Sequence, residues 1–463
     1  MLDKRVVEDV ILAALSTGAD FAEVFVENKY VNNLAMIGGR IEQANAGHDY
    51  GVGIRVFNGT NSVYAYTNDS SSENLIKVAK NAAVSIKGVA KDLGISLVKK
   101  DHSIIHNIRK FPRDIAKQDK VALLRTGYEA AKNYADTITQ VTGYYLDEDQ
   151  QILIANSEGL WAEDRRVRTR TGFSAVATVN GEMQTGGANI GEHRGFELYD
   201  TVNIADYGKE AARIATTMAT ADLCPSGKMP VVIDNAFGGV IFHEACGHGL
   251  EATSVAKGTS VYTGKMGEQI ASSVVTAIDD GTIAHAWGSN HIDDEGIPTQ
   301  KNVLIENGVL KSYLIDRIGG RRMNMAPTGS GRRQSYKYEP TSRMSNTYIA
   351  AGDSSQEEIF AKTQYGLYAK TMGGGSVNPA TGEFNFAVQE GYMIRDGKIA
   401  EPVRGATLIG TGLDVLKKID MVGDNLAHGQ GMCGSLSGSI PTNVGQPMIR
   451  VSELTVGGRK GAE

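Results

Sequence analysis

The densest group of chemically capable side chains is His243-Glu244-Ala245-Cys246-Gly247-His248. Two imidazoles can bind a zinc-class ion, and an adjacent carboxylate can take a proton from water that the ion activates. With nine histidines in the chain, a His-Glu pair followed by His five positions after the first arises by chance about 0.01 times per chain. The spacing is nevertheless unusual. On a regular helix, residues four apart lie about 40° apart around the axis, whereas residues five apart lie about 140° apart. Both rings reach one ion only if the helix is bulged or ends inside the motif. Gly247 is the position where such a distortion costs least. The plain alternative is two unrelated core histidines flanking a helix end.

A catalytic zinc needs a third protein ligand and an open position. Cys246 stands three residues after His243 and so can share its helical face. Cys433, in Gly431-Met432-Cys433-Gly434, is flanked by glycines that let its backbone approach a partner closely, and His428 lies just upstream. Taken singly, a cysteine is more often a small buried hydrophobe than a ligand. Residue chemistry alone leaves the choice of thiol open.

The elements around these residues alternate between helical and strand periods. Residues 3–16 carry apolar positions at helical spacing, with strand patterns at 22–27, 51–57 and 63–66. Asn58-Gly59, Asn180-Gly181, Asn307-Gly308 and Asp396-Gly397 are hairpin signals. Ser70 and Glu73 predict a capping box for a helix from Glu73 to Val89, and Ser354 and Glu357 predict another. A helix over about 119–135 is followed by strand candidates at 152–154, 166–170 and 173–179, then by a helix over 204–220. The segment 236–250 carries a helical pattern weakened by Gly238, Gly239 and Gly247. Without regular βαβ alternation the fold class is α+β, strand-rich, with several hairpins and the metal motif on a distorted helix. The turn-rich Cys224-Pro225-Ser226-Gly227 suggests a boundary between an N-terminal α+β domain, 1–223, and a C-terminal domain, 224–463.

Composition narrows the function classes. The 463 residues include 47 Lys+Arg and 53 Asp+Glu, a formal charge of −6. Mild acidity without a basic block argues against a nucleic-acid binder. No stretch approaches the ~18 consecutive apolar residues of a membrane span, and no apolar signal region opens the chain. Three cysteines cannot build a disulfide framework, which favours a reducing cytoplasm. Glycine is high, 55 residues, about 12% against a usual share of roughly 7%, which implies many turns.

Several motifs taken together resemble the TldD branch of the TldD/PmbA family. They are His243–Leu250, Asp293-Asp294-Glu295-Gly296, Gly331-Arg332-Arg333, Gly373-Gly374-Gly375, Met421-Val422-Gly423, Gly431–Gly434 and Gly445-Gln446-Pro447, with Gly51–Arg55 near the start. The likeness extends over essentially the whole chain. It implies a zinc metallopeptidase with one Zn²⁺ per catalytic subunit, held by His243, His248 and Cys433, and with Glu244 as general base. It also implies an unfolded or extended peptide substrate, and a dimer with a TldE/PmbA-like paralogue or with itself. The competing expectation from the same resemblance is a non-catalytic, zinc-containing regulatory subunit of the kind described as modulating DNA gyrase. Such a structural zinc would need a fourth donor, Cys246 or His428.

Other residues could serve substrate. Arg332, Arg333, Tyr336 and His428 are candidate oxyanion donors on loops, and either arginine could grip a peptide. Gly373, Gly374 and Gly375 could offer a backbone edge to an extended peptide, or form a flexible turn. The acidic run Asp293-Asp294-Glu295 is expected to face water at a hairpin end, and Arg321-Arg322 to lie on a solvated loop with paired charges.

Overall fold

Runs of β-branched and aromatic residues between turn-forming Gly and Asn favour long strands. The computed structural model of the chain describes residues 1–86, 88, 94–378 and 381–458. Helix α1 (Lys4–Leu15) precedes β1 (Phe21–Ile37), β2 (Arg40–Asn58), β3 (Asn61–Thr67), α2 (Ser72–Val84) and the short β4 (Val98–Lys99). Then follow α3 (Lys117–Lys132), β5 (Ile138–Asn156), β6 (Leu160–Val179), β7 (Glu182–Glu192) and α4 (Ile204–Ala219). The strands form one sheet in the order β3-β2-β1-β5-β6, with β4 and β7 also paired to β6. Its long strands carry a core at each end. At one, Val10, Ile11 and Leu75 of α1 and α2 pack on Val24, Val52 and Leu153. At the other, Leu124 and Ala211 of α3 and α4 pack on Leu34, Tyr145 and Phe173.

The second half builds two large sheets and a two-stranded one, Gly331–Arg332 with Thr341–Ser342. One large sheet is six-stranded and ends in Asn346–Ile349, Gly438–Gln446 and Ala427–Ser435. The other closes on itself, because Tyr365–Val377 pairs with both Gly227–Ile233 and Glu383–Arg395. A single large apolar core joins them. The result is the expected α+β architecture. No helix among the described residues is long and apolar enough to cross a membrane.

Local expectations shift in instructive ways. The hairpins at Asn180-Gly181, Asn307-Gly308 and Asp396-Gly397 form with positive φ at both residues. The first hairpin instead turns at Gly59-Thr60, since Asn58 pairs with Asn61. The strand candidates 166–170 and 173–179 are one continuous strand, β6. Helix α2 is capped by Ser71 rather than Ser70, and Ser71 makes no side-chain cap bond. The helix ends at Val84, and the last expected residue, Val89, lies outside the described residues. The later capping box does form, but one residue on, between Ser355 and Glu358.

The acidic run does not face water. Asp293, Asp294 and Glu295 are all buried, because arginines of the first sheet meet them. Arg55 on β2 bridges Glu23 at 3.0 Å and Glu295 at 2.5 Å. Arg166 on β6 meets Asp294 at 2.6 Å, and Arg333 pairs with Glu23 at 2.9 Å. Arg321 is partly exposed and charge-paired as expected, donating to Asp20 Oδ1 and Gly59 O, but from a helix, Arg317–Met323, rather than a loop. The buried network fastens the first sheet to the site-bearing half. Arg55→Ala leaves Glu23 and Glu295 buried without their shared counter-charge. A loss of about 3–5 kcal/mol is expected, read as a lower denaturation midpoint; an unchanged midpoint would remove the network from the fold's stability.

Candidate metal centre

The segment 236–250 is helical in three pieces. A 3₁₀ turn, Ala236–Gly239, leads into helix α5 (Val240–Ala245), and a second 3₁₀ turn covers Gly247–Leu250. The break falls on Cys246, with φ −131° and ψ −48°, and not on Gly247 as expected. Gly247 is needed for space instead: a Cβ there would lie 2.2 Å from Met344 Sδ. Ile241 and Phe242 are fully buried and anchor α5 in the core shared by the two large C-terminal sheets.

The interruption brings together what a regular helix would separate. His243 Nε2 and His248 Nε2 each lie 3.3 Å from Cys433 Sγ. Their rings stand nearly perpendicular, with centroids 5.0 Å apart. Cys433 arrives on the strand Ala427–Ser435, at the edge of the six-stranded sheet, opposite Ile440. Burial opposes its thiolate, but His243 and His248 stabilise it and lower the thiol to about 3. Burial likewise opposes a charged His248, yet Glu251 and Cys433 raise its pKa well above the usual histidine range. These shifts favour a thiolate paired with a protonated His248, whose proton a bound metal would displace.

The donor set fits a zinc-class ion. A tetrahedral ion with Zn–S about 2.3 Å and Zn–N about 2.0–2.1 Å holds sulfur and nitrogen donors about 3.5 Å apart, close to the distances found. The group of mutually close donor atoms contains His243, His248 and Cys433. Cys246 is not in it; its buried thiol faces Tyr262, and burial raises it to about 12. Nor is His428, whose ring packs edge-on against Tyr348, 5.1 Å between centroids. Glu244 stands beside the trio, with Oε2 3.8 Å from His248 Nε2 and a side chain 25% exposed.

Two supporting residues escaped the sequence. Glu251 Oε2 lies 3.2 Å from His248 Nδ1 and orients that ring. Arg343, fully buried, lies 3.9 Å from Glu251 Oε1 and donates to Cys433 O at 2.5 Å and Gly438 O at 2.9 Å. Glu251 carried a signal, three residues after His248. Arg343 carried none, being 90 residues from Cys433 along the chain. Glu251→Ala is expected to weaken zinc binding about 10–100-fold, measured by competition with a chromophoric chelator. Unchanged affinity would deny Glu251 this part.

The expected substrate residues are more dispersed. Arg332 is buried rather than on an open loop, and donates to Met344 O at 2.6 Å and Pro441 O at 2.8 Å. Burial and the nearby Arg168 lower its pKa to about 9. Arg333 is held by Glu23 and Asp294 O. Tyr336 packs with Phe25 and Ile152 over Gly51. Gly373–Gly375 lie within the strand Tyr365–Val377, not in a turn. Pairing with Glu383–Arg395 jumps there from Met372–Val388 to Gly375–Phe386, so Gly373 and Gly374 fall outside the ladder. They and His428 line a cavity of about 1090 Å³.

Comparison with known proteins places this arrangement in context. Residues 22–86, 110–219 and 226–458 match the family models for domain 1, the central domain and the C-terminal domain of PmbA/TldA metallopeptidases. The metalloprotease TldD homolog of Haemophilus influenzae is 36% identical over 452 residues, 95% of this chain and 93% of that protein. A Saccharolobus solfataricus zinc metalloprotease TldD homolog is 27% identical, over 97% of this chain and 99% of its own length. Among solved structures, TldE from Thermococcus kodakarensis superposes with a TM-score of 0.78 at 19% identity, over 97% of this chain and 99% of that one. At that identity the likeness is one of fold.

Proposed function

Because the chain belongs to the PmbA/TldD family of metallopeptidases, we propose that it is a zinc-dependent peptidase acting on unfolded or extended peptides. The observation that carries this reading is the convergence of His243, His248 and Cys433 beside the partly exposed carboxylate of Glu244. These three side chains hold one zinc ion per catalytic subunit. Zinc, when bound, supplies Lewis acidity toward water and the scissile carbonyl. Glu244 takes the proton of the attacking water and passes it to the leaving amine. Glu251 and Arg343 keep His248 and the Cys433 backbone in place. The cavity lined by His428, Gly373 and Gly374 touches neither the three donors nor Glu244, so it would hold an extended peptide away from the cleavage point, along the glycines outside the sheet ladder. Arg332 and its neighbours Arg333 and Tyr336 support the site from the interface with the first sheet.

A purely structural zinc needs a fourth protein donor. The two expected fourth donors, Cys246 and His428, are turned to other partners, which favours catalysis over the regulatory alternative. We further read the active form as a dimer, with a TldE-like paralogue or a second copy, working in a reducing compartment. Zinc withdrawal tests the reading. A strong chelator is expected to abolish cleavage of an unfolded protein substrate, and added zinc to restore it. Cleavage that survives complete zinc removal would sink the reading.

A further inference from the structure

Five of the nine histidines gather outside the trio. His102, His106, His193, His285 and His291 meet where the segments 102–106 and 285–291 lie against the first sheet. His102 stacks on His291 with centroids 5.0 Å apart, and His106 on His193 at 3.7 Å. Between them stands Asp164 of β6, its side chain wholly buried. One ligand atom from each of His102, Asp164 and His291 lies within 4.8 Å of the other two.

The surrounding bonds resemble those that hold metal-binding histidines. His102 Nε2 donates to Glu163 O at 2.7 Å and lies 4.0 Å from Asp164 Oδ1, while Nδ1 carries the bare lone pair. That Nδ1 is buried without a partner, as is His106 Nε2. A ring nitrogen tied to a backbone carbonyl with the other left bare is the usual state of a histidine ligand. An unpartnered buried polar atom is otherwise destabilising. A cavity of about 550 Å³, lined by His102, His106, Asp164 and His291, gives an ion access. Arg166 touches Asp164 Oδ2 at 3.2 Å, but Asp294 meets its charge at 2.6 Å. Asp164 Oδ1 also accepts from the Arg165 N–H at 2.8 Å, so a cation would share the carboxylate with these donors.

We propose that His102, Asp164 and His291 form a second metal site, for one divalent transition-metal ion of the zinc class. Two imidazoles and a carboxylate suit such an ion better than Ca²⁺ or Mg²⁺. Bound there, the ion clips the segments carrying His102 and His291 onto β6. His291 Nδ1 now donates to Asp164 Oδ1 at 2.6 Å. On metal binding its proton shifts to Nε2, giving up the long 3.4 Å contact from the His106 N–H.

The inference is independent of the peptidase reading. Its test is cobalt titration of the His243→Ala/Cys433→Ala double variant, in which the first site has lost two donors. That protein is expected to take up one Co²⁺, with visible d–d bands, no sulfur-to-cobalt charge-transfer band and a raised thermal midpoint. Adding His102→Ala or Asp164→Asn is expected to abolish all of these. In the parent chain the same expectation reads as two zinc ions, falling to one with His102→Ala. No cobalt uptake by the double variant, or metal content indifferent to His102→Ala, overturns the site.

Discussion

Glu244→Gln is expected to leave zinc content unchanged and to slow peptide cleavage about 10²–10⁴-fold, the usual contribution of a general acid–base group. Glutamine keeps the size and polarity of the side chain but cannot accept the proton of attacking water. Glu244 is suited to that role by position. Its carboxylate lies beside His248, 3.8 Å from Nε2, yet stays partly open to solvent and substrate. Because it does not join the three close donors, losing its charge leaves the ligand set intact. Steady-state cleavage of an unfolded substrate, with zinc measured on the same sample, separates the outcomes. Undiminished cleavage would dismiss Glu244 as the base, and lost zinc would make it a ligand.

Cys433→Ala is expected to remove zinc from the catalytic site and reduce cleavage to background. The loss of affinity should exceed the 10–100-fold typical of residues that only orient ligands. The thiolate is the one anionic donor of the trio, and both imidazoles converge on it at 3.3 Å. Cys246→Ala is the informative contrast. That thiol is fully buried in the apolar core, so its removal should cost stability on the order of 1 kcal/mol while zinc and cleavage persist. Zinc retained by Cys433→Ala but lost from Cys246→Ala would reverse the assignment of the third ligand.

The contrast shows which parts of the site were legible in the sequence. The motif from His243 to His248 stood out because its chemistry is local, and its five-residue spacing required an interrupted helix. Which backbone position absorbs the break was not legible. Gly247 is glycine for a different reason, since a Cβ there would meet Met344, a residue from a distant part of the chain. The thiol was equally undetermined by residue type. Only strand pairing of Ala427–Ser435 with Gly438–Gln446 carries Cys433 to α5. Hairpins were readable because positive φ selects Asn, Asp and Gly, and the one misplaced turn still used Gly59.

Charge was the least legible feature. Asp293, Asp294 and Glu295 are an ordinary solvated run until Arg55 and Arg166 arrive from a different sheet. Arg332 and Arg333 were expected on open loops for the same reason. A sequence records each charge without its partner, and burial follows from the partner. The same holds for the histidines around Asp164, scattered from 102 to 291 and united only by the fold.

X-ray absorption at the zinc edge tests the central claim most directly, on the His102→Ala chain loaded with one equivalent of zinc. A metal held by His243, His248 and Cys433 predicts one sulfur neighbour, two imidazole nitrogens and one light exchangeable ligand. That sulfur should vanish in Cys433→Ala and persist in Cys246→Ala. A shell without sulfur, or one with two sulfurs and no exchangeable ligand, would contradict a catalytic metal at this site.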